Sequence, residues 1–343
     1  MEIIRINILR MFKIKLFFIY ILFLISCSNY KATSPLNIDY NNNQNISSSI
    51  PENIDEYYII KSDTQETEIE NKMQEYFDKY GYYAIFLQDT GDNIDKNSTI
   101  ETINKIIEKT EYSKYGVALD ISRTTVTEIK DNAFKDNNNI AAIKLPETIK
   151  TIGESAFENC STLSEINFPS SIETIKTSSF NKCIKLTKAD LSKTKITAIA
   201  NKVFYNCISL TSVVLPDTLT IINIESFAYC YSLYDINFTS KLTYILPSAF
   251  ISCKSLTKIS LPSSLKYIYG YSFGDCSSLS DVEYLGDNVN NIQIKNGNVF
   301  DGYVENSKPK DLYLPNASSD SSWESFFNYT WEKDKIFYGK NMP

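Results

Sequence analysis

Residues 157–180 have the sequence FENCSTLSEINFPSSIETIKTSSF, and this stretch decides the fold because its pattern recurs along the chain. A phenylalanine returns every 23 residues, with a single spacing of 24, at Phe134, Phe157, Phe180, Phe204, Phe227, Phe250 and Phe273. Cysteine follows three residues later in every repeat but the first, where Asn137 takes its place. A period of about 20–50 residues is typical of solenoids, in which each repeat buries its apolar side only against its neighbours.

Each repeat also contains the pattern of a short strand. In the repeat quoted above, Ile166 and Phe168 alternate with the polar Asn167, as a strand with one buried side requires. A proline then ends the strand, and a second apolar pair follows, here Ile172 and Ile175. The sequence therefore predicts a mainly β repeat solenoid of seven coils over residues 121–285, with consecutive strands about 4.8 Å apart.

The consensus of the seven copies resembles the BspA-type leucine-rich repeats of bacterial surface proteins. The resemblance rests on the phenylalanine, the cysteine, the Leu-x-x-Ile strand and the Leu-Pro or Phe-Pro turn, and it covers about half of the chain. It implies a leucine-rich repeat solenoid that is displayed outside the cell and binds proteins, and it implies no enzymatic activity.

The repeat cysteines permit two interpretations: a metal or redox ladder, or a buried column of small apolar side chains. Zinc sites draw ligands from cysteine pairs that are two to four residues apart, whereas these cysteines are about 23 residues apart. Parallel side chains in consecutive coils also suit a disulfide badly. We therefore expect a reduced structural ladder and no bound metal. The ladder consists of Cys160, Cys183, Cys207, Cys230, Cys253 and Cys276.

The N-terminus has the features of an export signal. Four basic residues precede an apolar run over residues 17–25, and the run ends in Leu24-Ile25-Ser26-Cys27. This ending resembles a bacterial lipobox, which implies that a signal peptide of residues 1–26 is removed and that Cys27 carries lipid. Translation could begin at Met1 or at Met11. The alternative, an uncleaved signal anchor, is less favoured because the run is shorter than the ~20 residues that span a bilayer.

Three further segments complete the predicted organisation. Residues 27–56 are rich in Asn and Ser, which favours a flexible tether. Residues 57–120 show two helical patterns, near residues 64–80 and 98–109, and two strand patterns, near 82–87 and 117–121, which predict a small α/β cap for the solenoid. Residues 286–343 break the repeat register and contain both tryptophans, which predicts an aromatic C-terminal cap in which Trp323, Phe326 and Phe327 form one face of an amphipathic helix. A separate function for residues 57–120 remains an alternative.

Composition excludes several classes of function. The formal charge of −7 disfavours nucleic-acid binding, and the absence of histidine excludes Ser-His-Asp and Cys-His catalytic sites. The single Asp89-Thr90-Gly91 lacks the second carboxylate that an aspartic protease needs. Residues 89–95 offer oxygen ligands but fail the EF-hand pattern, so calcium binding there is a weak alternative. We expect no cofactor and no catalytic residues.

The exposed positions provide the remaining candidates. The outward strand columns mix charges and small residues, whereas the late coils are rich in tyrosine. Exposed tyrosine gives a large contact area at low entropic cost, although tyrosine is also a good strand former on a solvated surface. Tyr244 and Tyr267 occupy equivalent positions in consecutive coils and are expected to stack. The candidate binding residues are Tyr229, Tyr231, Tyr234, Tyr244, Tyr267, Tyr269 and Tyr271.

Two functions are consistent with the sequence. The first is a monomeric, lipid-anchored solenoid on the outer membrane that faces the cell exterior and adheres to host or matrix proteins or to other cells. The second is a periplasm-facing structural or scaffolding lipoprotein that binds an envelope partner. The membrane would be contacted through the lipid on Cys27 in either case.

Overall fold

The computed structural model describes residues 55–61, 64–89, 96–302, 309–319 and 321–343. The predicted signal peptide, Cys27 and all but the last two residues of the predicted tether lie outside the described residues, as do residues 90–95 of the weak calcium candidate. Among the described helices, none is both long enough and apolar enough to cross a membrane.

Each coil contributes strands to two separate rows, and every strand pairing is parallel. The first row contains β1 (Ile59–Lys61), β2 (Tyr83–Gln88), β3 (Val117–Arg123), β5 (Ile140–Lys144), β7 (Glu165–Ile166), β9 (Lys188–Asp190), β11 (Ser212–Val214), β13 (Asp235–Ile236), β15 (Lys258–Leu261), β17 (Asp281–Tyr284), β19 (Asp311–Leu314) and β20 (Ile336–Tyr338). The second row contains β4 (Glu128–Ile129), β6 (Thr151–Ile152), β8 (Thr174–Ile175), β10 (Ala198–Ile199), β12 (Ile221–Ile222), β14 (Tyr244–Ile245), β16 (Tyr267–Tyr269) and β18 (Gln293–Lys295). The predicted mainly β leucine-rich repeat solenoid is thus confirmed, and the second residue of each apolar pair, such as Ile175, lies in a short strand of the second row.

The third side of each coil is a turn built around the repeat phenylalanine. The residues two positions before and two positions after it adopt positive φ, as at Ser155 (51°) and Asn159 (60°) around Phe157. This alternation turns every second N–H toward the next coil, so that Phe157 N donates to Ser179 O at 2.8 Å and Asn159 N donates to Asn181 O at 2.7 Å. Backbone hydrogen bonds therefore join the coils along this side as well as along both strand rows.

The repeat phenylalanines form a continuous stack inside the solenoid. All seven are fully buried, and their ring centroids are 5.0–5.5 Å apart with interplanar angles of 2–12°. Each ring buries a large apolar area, and offset aromatic pairs add about 0.5–1.5 kcal/mol beyond the burial itself. The stack is the centre of the hydrophobic core.

The cysteine column makes a hydrogen-bond ladder. All six thiols are free and buried. Each Sγ donates to the carbonyl oxygen of the phenylalanine in the preceding coil at 2.9–3.3 Å. In the first coil no such carbonyl exists, and Asn137 instead donates from Nδ2 to Asn104 Oδ1 at 2.6 Å. The residue that replaces cysteine thus joins the coil to the helix that precedes it.

The segment before the repeats contains the predicted helices and strands. Helix α1 (Glu66–Tyr80) ends at Gly81 in the left-handed region, and helix α2 (Lys96–Ile107) packs beside it. The Asn139 amide donates to Ile107 O at 2.7 Å and so closes the carbonyl end of α2. Strands β1, β2 and β3 continue the first row, with one register shift between β2 and β3 and another between β3 and β5, so this segment extends the ladder of the solenoid; strand β1 was not expected from the sequence.

The C-terminal segment differs from the prediction in two respects. Strands β18 and β19 pair with β16 and β17, so the coils continue beyond residue 285, with Phe300 buried 27 residues after Phe273. The longer turns in this coil hide its period in the sequence. The helical face expected for Trp323, Phe326 and Phe327 is absent, because positive φ at Phe327 interrupts a pair of short 3₁₀ turns. The three aromatic side chains are nevertheless buried.

We expect the repeat thiols to be unreactive in the folded protein. Burial raises the pKa of every thiol in the column, to about 12 for Cys276, so that thiolate is scarce as well as inaccessible. Titration with a thiol reagent at pH 8 should modify none of the six cysteines without denaturant and all six in guanidinium chloride. Fewer than six reactive thiols after unfolding would contradict the reduced ladder.

We also expect one carboxyl to make folding pH-dependent. Glu165 in β7 has a buried Oε2 without a hydrogen-bond partner, and burial raises its pKa to about 7. The folded chain then retains a proton that the unfolded chain releases above its ordinary pKa, so this residue lowers stability as pH rises through about 5–7. Glu165→Gln should raise the melting temperature at pH 8 by about 2–4 °C, the effect of about 1 kcal/mol in a chain of this size, and should have little effect at pH 4.5. The exposed Glu173→Gln is the control, and an equal shift for Glu165→Gln at both pH values would contradict the assignment.

Candidate binding surface

The seven candidate tyrosines do not form one surface. Tyr244, Tyr267 and Tyr269 lie on β14 and β16 of the second row, whereas Tyr234 directly precedes β13 of the first row. The other three lie in or beside the phenylalanine turns, at Tyr229, Tyr231 and Tyr271. The structure therefore distributes the predicted set over all three sides of the coil.

The tyrosines of the second row belong to a larger apolar area. The predicted stacking of Tyr244 and Tyr267 is confirmed, because their ring centroids are 4.9 Å apart and their planes differ by 5°. The same column contains Ile221 in the preceding coil, which is paired with Tyr244 through β12 and β14. We call this area the apolar face; its residues are Ile221, Ile224, Tyr244, Leu246, Tyr267 and Tyr269.

All six side chains of the apolar face are partly or largely exposed, and Ile224 is 41% exposed. The adjacent strand residues Ile222, Ile245 and Ile268 point inward and are fully buried. The side chains of the apolar face are therefore not part of the core, which the buried isoleucines form. Exposed apolar side chains at neighbouring positions of consecutive coils favour an interaction site.

The apolar face is restricted to three coils. In the equivalent column, the earlier coils carry Glu128, Thr151, Thr174 and Ala198, and the following coil carries Gln293. The backbone register is the same in all of them. The side chain at this position changes from Thr151 and Thr174 through the small Ala198 to Ile221, Tyr244 and Tyr267, so the face is bounded by Ala198 on one side and by the polar Gln293 on the other.

The sequence prediction missed half of this face. Ile221, Ile224 and Leu246 are aliphatic, and the candidate set contained tyrosines alone. A signal was present: Ile221 occupies the position of Tyr244 and Tyr267 when the repeats are aligned on their phenylalanines. Because that position is outward in every coil, its isoleucine is an exposed residue.

A second aromatic cluster lies in the phenylalanine turns. Tyr205 contacts Tyr229 edge to face at 5.3 Å, and Tyr229 contacts Tyr231 at 6.2 Å. The ammonium groups of Lys202 and Lys254 lie 5.5 and 4.8 Å from the ring centroids of Tyr205 and Tyr231. These rings are therefore already in contact with cations and with one another, which gives them a structural role within the turn.

The remaining two candidates are well exposed. Tyr234 is 57% exposed, and Tyr271 is 46% exposed and adopts a positive φ of 64°. Tyr271 borders the phenylalanine turn of the seventh coil, and Tyr234 lies close to the outward columns of the first row. Neither belongs to the apolar face.

The described residues contain little that resembles a reactive centre. No group of three or more Cys, Asp or Glu side chains in the described ranges could hold a metal ion. Asp89 accepts hydrogen bonds from the N–H and hydroxyl of Thr125, at 2.5 and 2.8 Å, so its carboxylate joins two segments that are 36 residues apart in the sequence. The arrangement offers contact area and hydrogen-bonding groups, which are the properties of a binding surface.

Comparison with protein families identifies the repeat. The family model described as the BspA type leucine rich repeat region matches residues 105–207 and 197–302, with six copies. No curated protein matches the chain.

Several solved structures resemble the chain. A leucine rich cell surface protein from Faecalibacterium prausnitzii A2-165 is 18% identical, with a TM-score of 0.39, and the match covers 66% of this chain and 79% of that one. A leucine-rich repeat protein from Bacteroides ovatus is 19% identical, with a TM-score of 0.41 and coverage of 68% and 75%. The leucine rich repeat protein of T. pallidum is 22% identical, with a TM-score of 0.36 and coverage of 52% and 73%.

Proposed function

The chain belongs to the BspA-type leucine-rich repeat family, and we propose that it is a lipid-anchored cell-surface protein that binds a protein partner through the apolar face. The observation that carries this proposal is that Ile221, Tyr244 and Tyr267 occupy an outward position that holds Thr151 and Thr174 in earlier coils and Gln293 in the following coil. A solenoid needs no such residues on its outside, so their presence is best explained by a partner.

The chemistry of the apolar face favours a protein partner. It combines stacked tyrosine with isoleucine and leucine, and aromatic residues are enriched in the buried centres of protein interfaces. The residues that directly precede β12, β14 and β16 are Thr220, Thr243 and Lys266, and only Lys266 is charged. A polar rim around an apolar centre is the usual arrangement of such interfaces.

The location is supported by the N-terminal sequence. A basic segment, an apolar run and Leu24-Ile25-Ser26-Cys27 support export and lipid attachment at Cys27. We place the solenoid outside the outer membrane, as a monomer that adheres to host or matrix proteins or to other cells, without catalysis. Residues 57–120 and 286–343 act in this proposal as the caps of the solenoid. The second candidate is a periplasm-facing scaffold, which shares the anchor and the binding surface but not the orientation.

Protease treatment of intact cells distinguishes the two orientations. If the solenoid faces the exterior, an antibody to residues 121–285 should lose its signal while a periplasmic control protein stays intact. Cys27→Ser should release the protein from the membrane fraction in either orientation, because the lipid is lost. Protection of the solenoid until the outer membrane is broken would exclude the adhesin and favour the scaffold.

Substitution of the stacked tyrosines tests the apolar face. Beads coated with the protein should bind host cells or immobilised matrix proteins, and Tyr244→Ala with Tyr267→Ala should reduce binding at least tenfold, as expected when two central aromatic residues are removed. Thr151→Ala with Thr174→Ala is the matched control, because these residues occupy the same column in polar coils. If both double variants bind as the unchanged protein does, the apolar face is not the contact surface.

A further inference from the structure

The stacked tyrosines of the second row hold two phenol rings side by side. Tyr244 and Tyr267 are direct partners across β14 and β16, and their ring centroids are 4.9 Å apart with planes that differ by 5°. Because the two side chains leave equivalent backbone positions in nearly the same direction, their hydroxyl groups lie at the same height above the strands. The ring carbons beside one hydroxyl group therefore lie near the same carbons of the neighbouring ring.

The two rings are free of the closely packed interior. Both side chains are partly exposed, whereas the next residues on the same strands, Ile245 and Ile268, are fully buried. A quarter turn about each Cβ–Cγ bond would bring the edges of the two rings together. The core does not oppose this movement, because the rings lie outside it.

The tyrosine cluster of the phenylalanine turns has a different geometry. The planes of Tyr205 and Tyr229 differ by 70°, and those of Tyr229 and Tyr231 differ by 79°. In such edge-to-face contacts, the edge of one ring points at the face of the next. The carbons beside the hydroxyl groups are therefore not paired as they are in the stack.

Other oxidisable side chains are mostly protected in the described part of the chain. Trp323 and Trp331 are 2% and 3% exposed, and Met73 is fully buried. Met342 is partly exposed, but its backbone N–H binds Glu283 of the first row. The six repeat thiols are buried, and burial raises the pKa of each, so they do not compete for an oxidant at the surface. A one-electron oxidant at the second row therefore reacts with tyrosine.

We propose that Tyr244 and Tyr267 are a site of oxidative coupling, at which a haem peroxidase with hydrogen peroxide joins the two rings as dityrosine. Each phenol loses one electron and one proton, and the two phenoxyl radicals form a bond between the ring carbons beside their oxygen atoms. The hydrogen on each bonded carbon then moves to the oxygen of its ring, which restores both phenols. Hydrogen peroxide accepts the two electrons and two protons and becomes two molecules of water.

The new carbon–carbon bond links the sixth and seventh coils. Such a link restricts the unfolded chain, as a disulfide does, and so stabilises this part of the solenoid. The coupling depends on the geometry of the two rings and does not rest on partner binding by the apolar face.

Peroxidase treatment of the full-length protein tests the proposal. The blue fluorescence of dityrosine should appear in the monomer fraction after gel filtration. Tyr267→Phe retains a stacked ring but lacks the hydroxyl group, so it should lower this fluorescence at least fivefold. Tyr205→Phe is the matched control, because it removes a hydroxyl group from the edge-to-face cluster, and it should retain most of the fluorescence. Absence of dityrosine from the monomer, or an equal signal in Tyr267→Phe, would overturn the proposal.

Digestion with trypsin locates the new bond. After unfolding and alkylation of the thiols, Tyr244 is the only tyrosine in the peptide 242–254, and Tyr267 begins the peptide 267–295. Mass spectrometry should find these two peptides joined, with the loss of two hydrogen atoms. The treated protein should melt about 5 °C higher than treated Tyr267→Phe, as expected for a link that closes a short loop. Dityrosine between other peptides would contradict the site, and equal melting temperatures would show that the link does not stabilise the coils.

Discussion

The stack of phenylalanine rings is the constraint on which the rest of the structure depends. The ring spacing of 5.0–5.5 Å is close to the spacing of about 4.8 Å between neighbouring parallel strands, so each coil must bring its phenylalanine back above the previous one. This requirement fixes the length of a coil at 23 residues wherever the backbone path of the coil is unchanged. The coil with 24 residues adds its extra residue in the turn after Leu191, where Thr194 Oγ1 binds Leu191 O and Lys195 N binds Ile172 O. The insertion lies outside the core, so the stack is uninterrupted.

The left-handed backbone of the phenylalanine turn costs free energy, and the hydrogen bonds of the turn offset this cost. Left-handed backbone is unfavourable for residues other than glycine by about 1–2 kcal/mol, and each of the seven turns contains two such residues. In return, the N–H groups of this side bind the next coil instead of being buried without a partner, which would cost about 1–3 kcal/mol each. The cysteine thiol adds a further contact at the same place. The positions accept Lys182, Glu225 and Tyr229 alike, which shows that the neighbouring coil imposes the conformation.

The sequence predicted the features that repeat and missed those that do not. The period, the buried phenylalanines and the Tyr244–Tyr267 stack were deduced correctly because each follows from positions aligned 23 residues apart. Nine of the fourteen left-handed positions beside the repeat phenylalanines are Asn, Asp or Ser, but these residue types also occur at many other positions of the chain and so do not reveal the conformation by themselves. The coil that contains Phe300 has longer turns and escaped detection for that reason. At the candidate site, the tyrosines were recognised as exposed, whereas Ile221 and Leu246 were not, since an isolated aliphatic residue predicts a core position in most contexts.

Inward and outward side chains are under different constraints, and this difference explains how the fold acquires a binding function. The phenylalanine stack restricts which residue types can occupy the inward positions. The outward positions need only residue types that are compatible with a short strand. Thr151 and Thr174 show that the second row forms equally well with small polar side chains. The tyrosines at the same position are therefore not required by the fold. Glu283 makes the same argument for the first row: a strand needs no outward carboxylate, and this one is buried by residues from outside the repeat. In both rows, the outward side chains that the strands do not need for folding mark the surfaces that contact other groups.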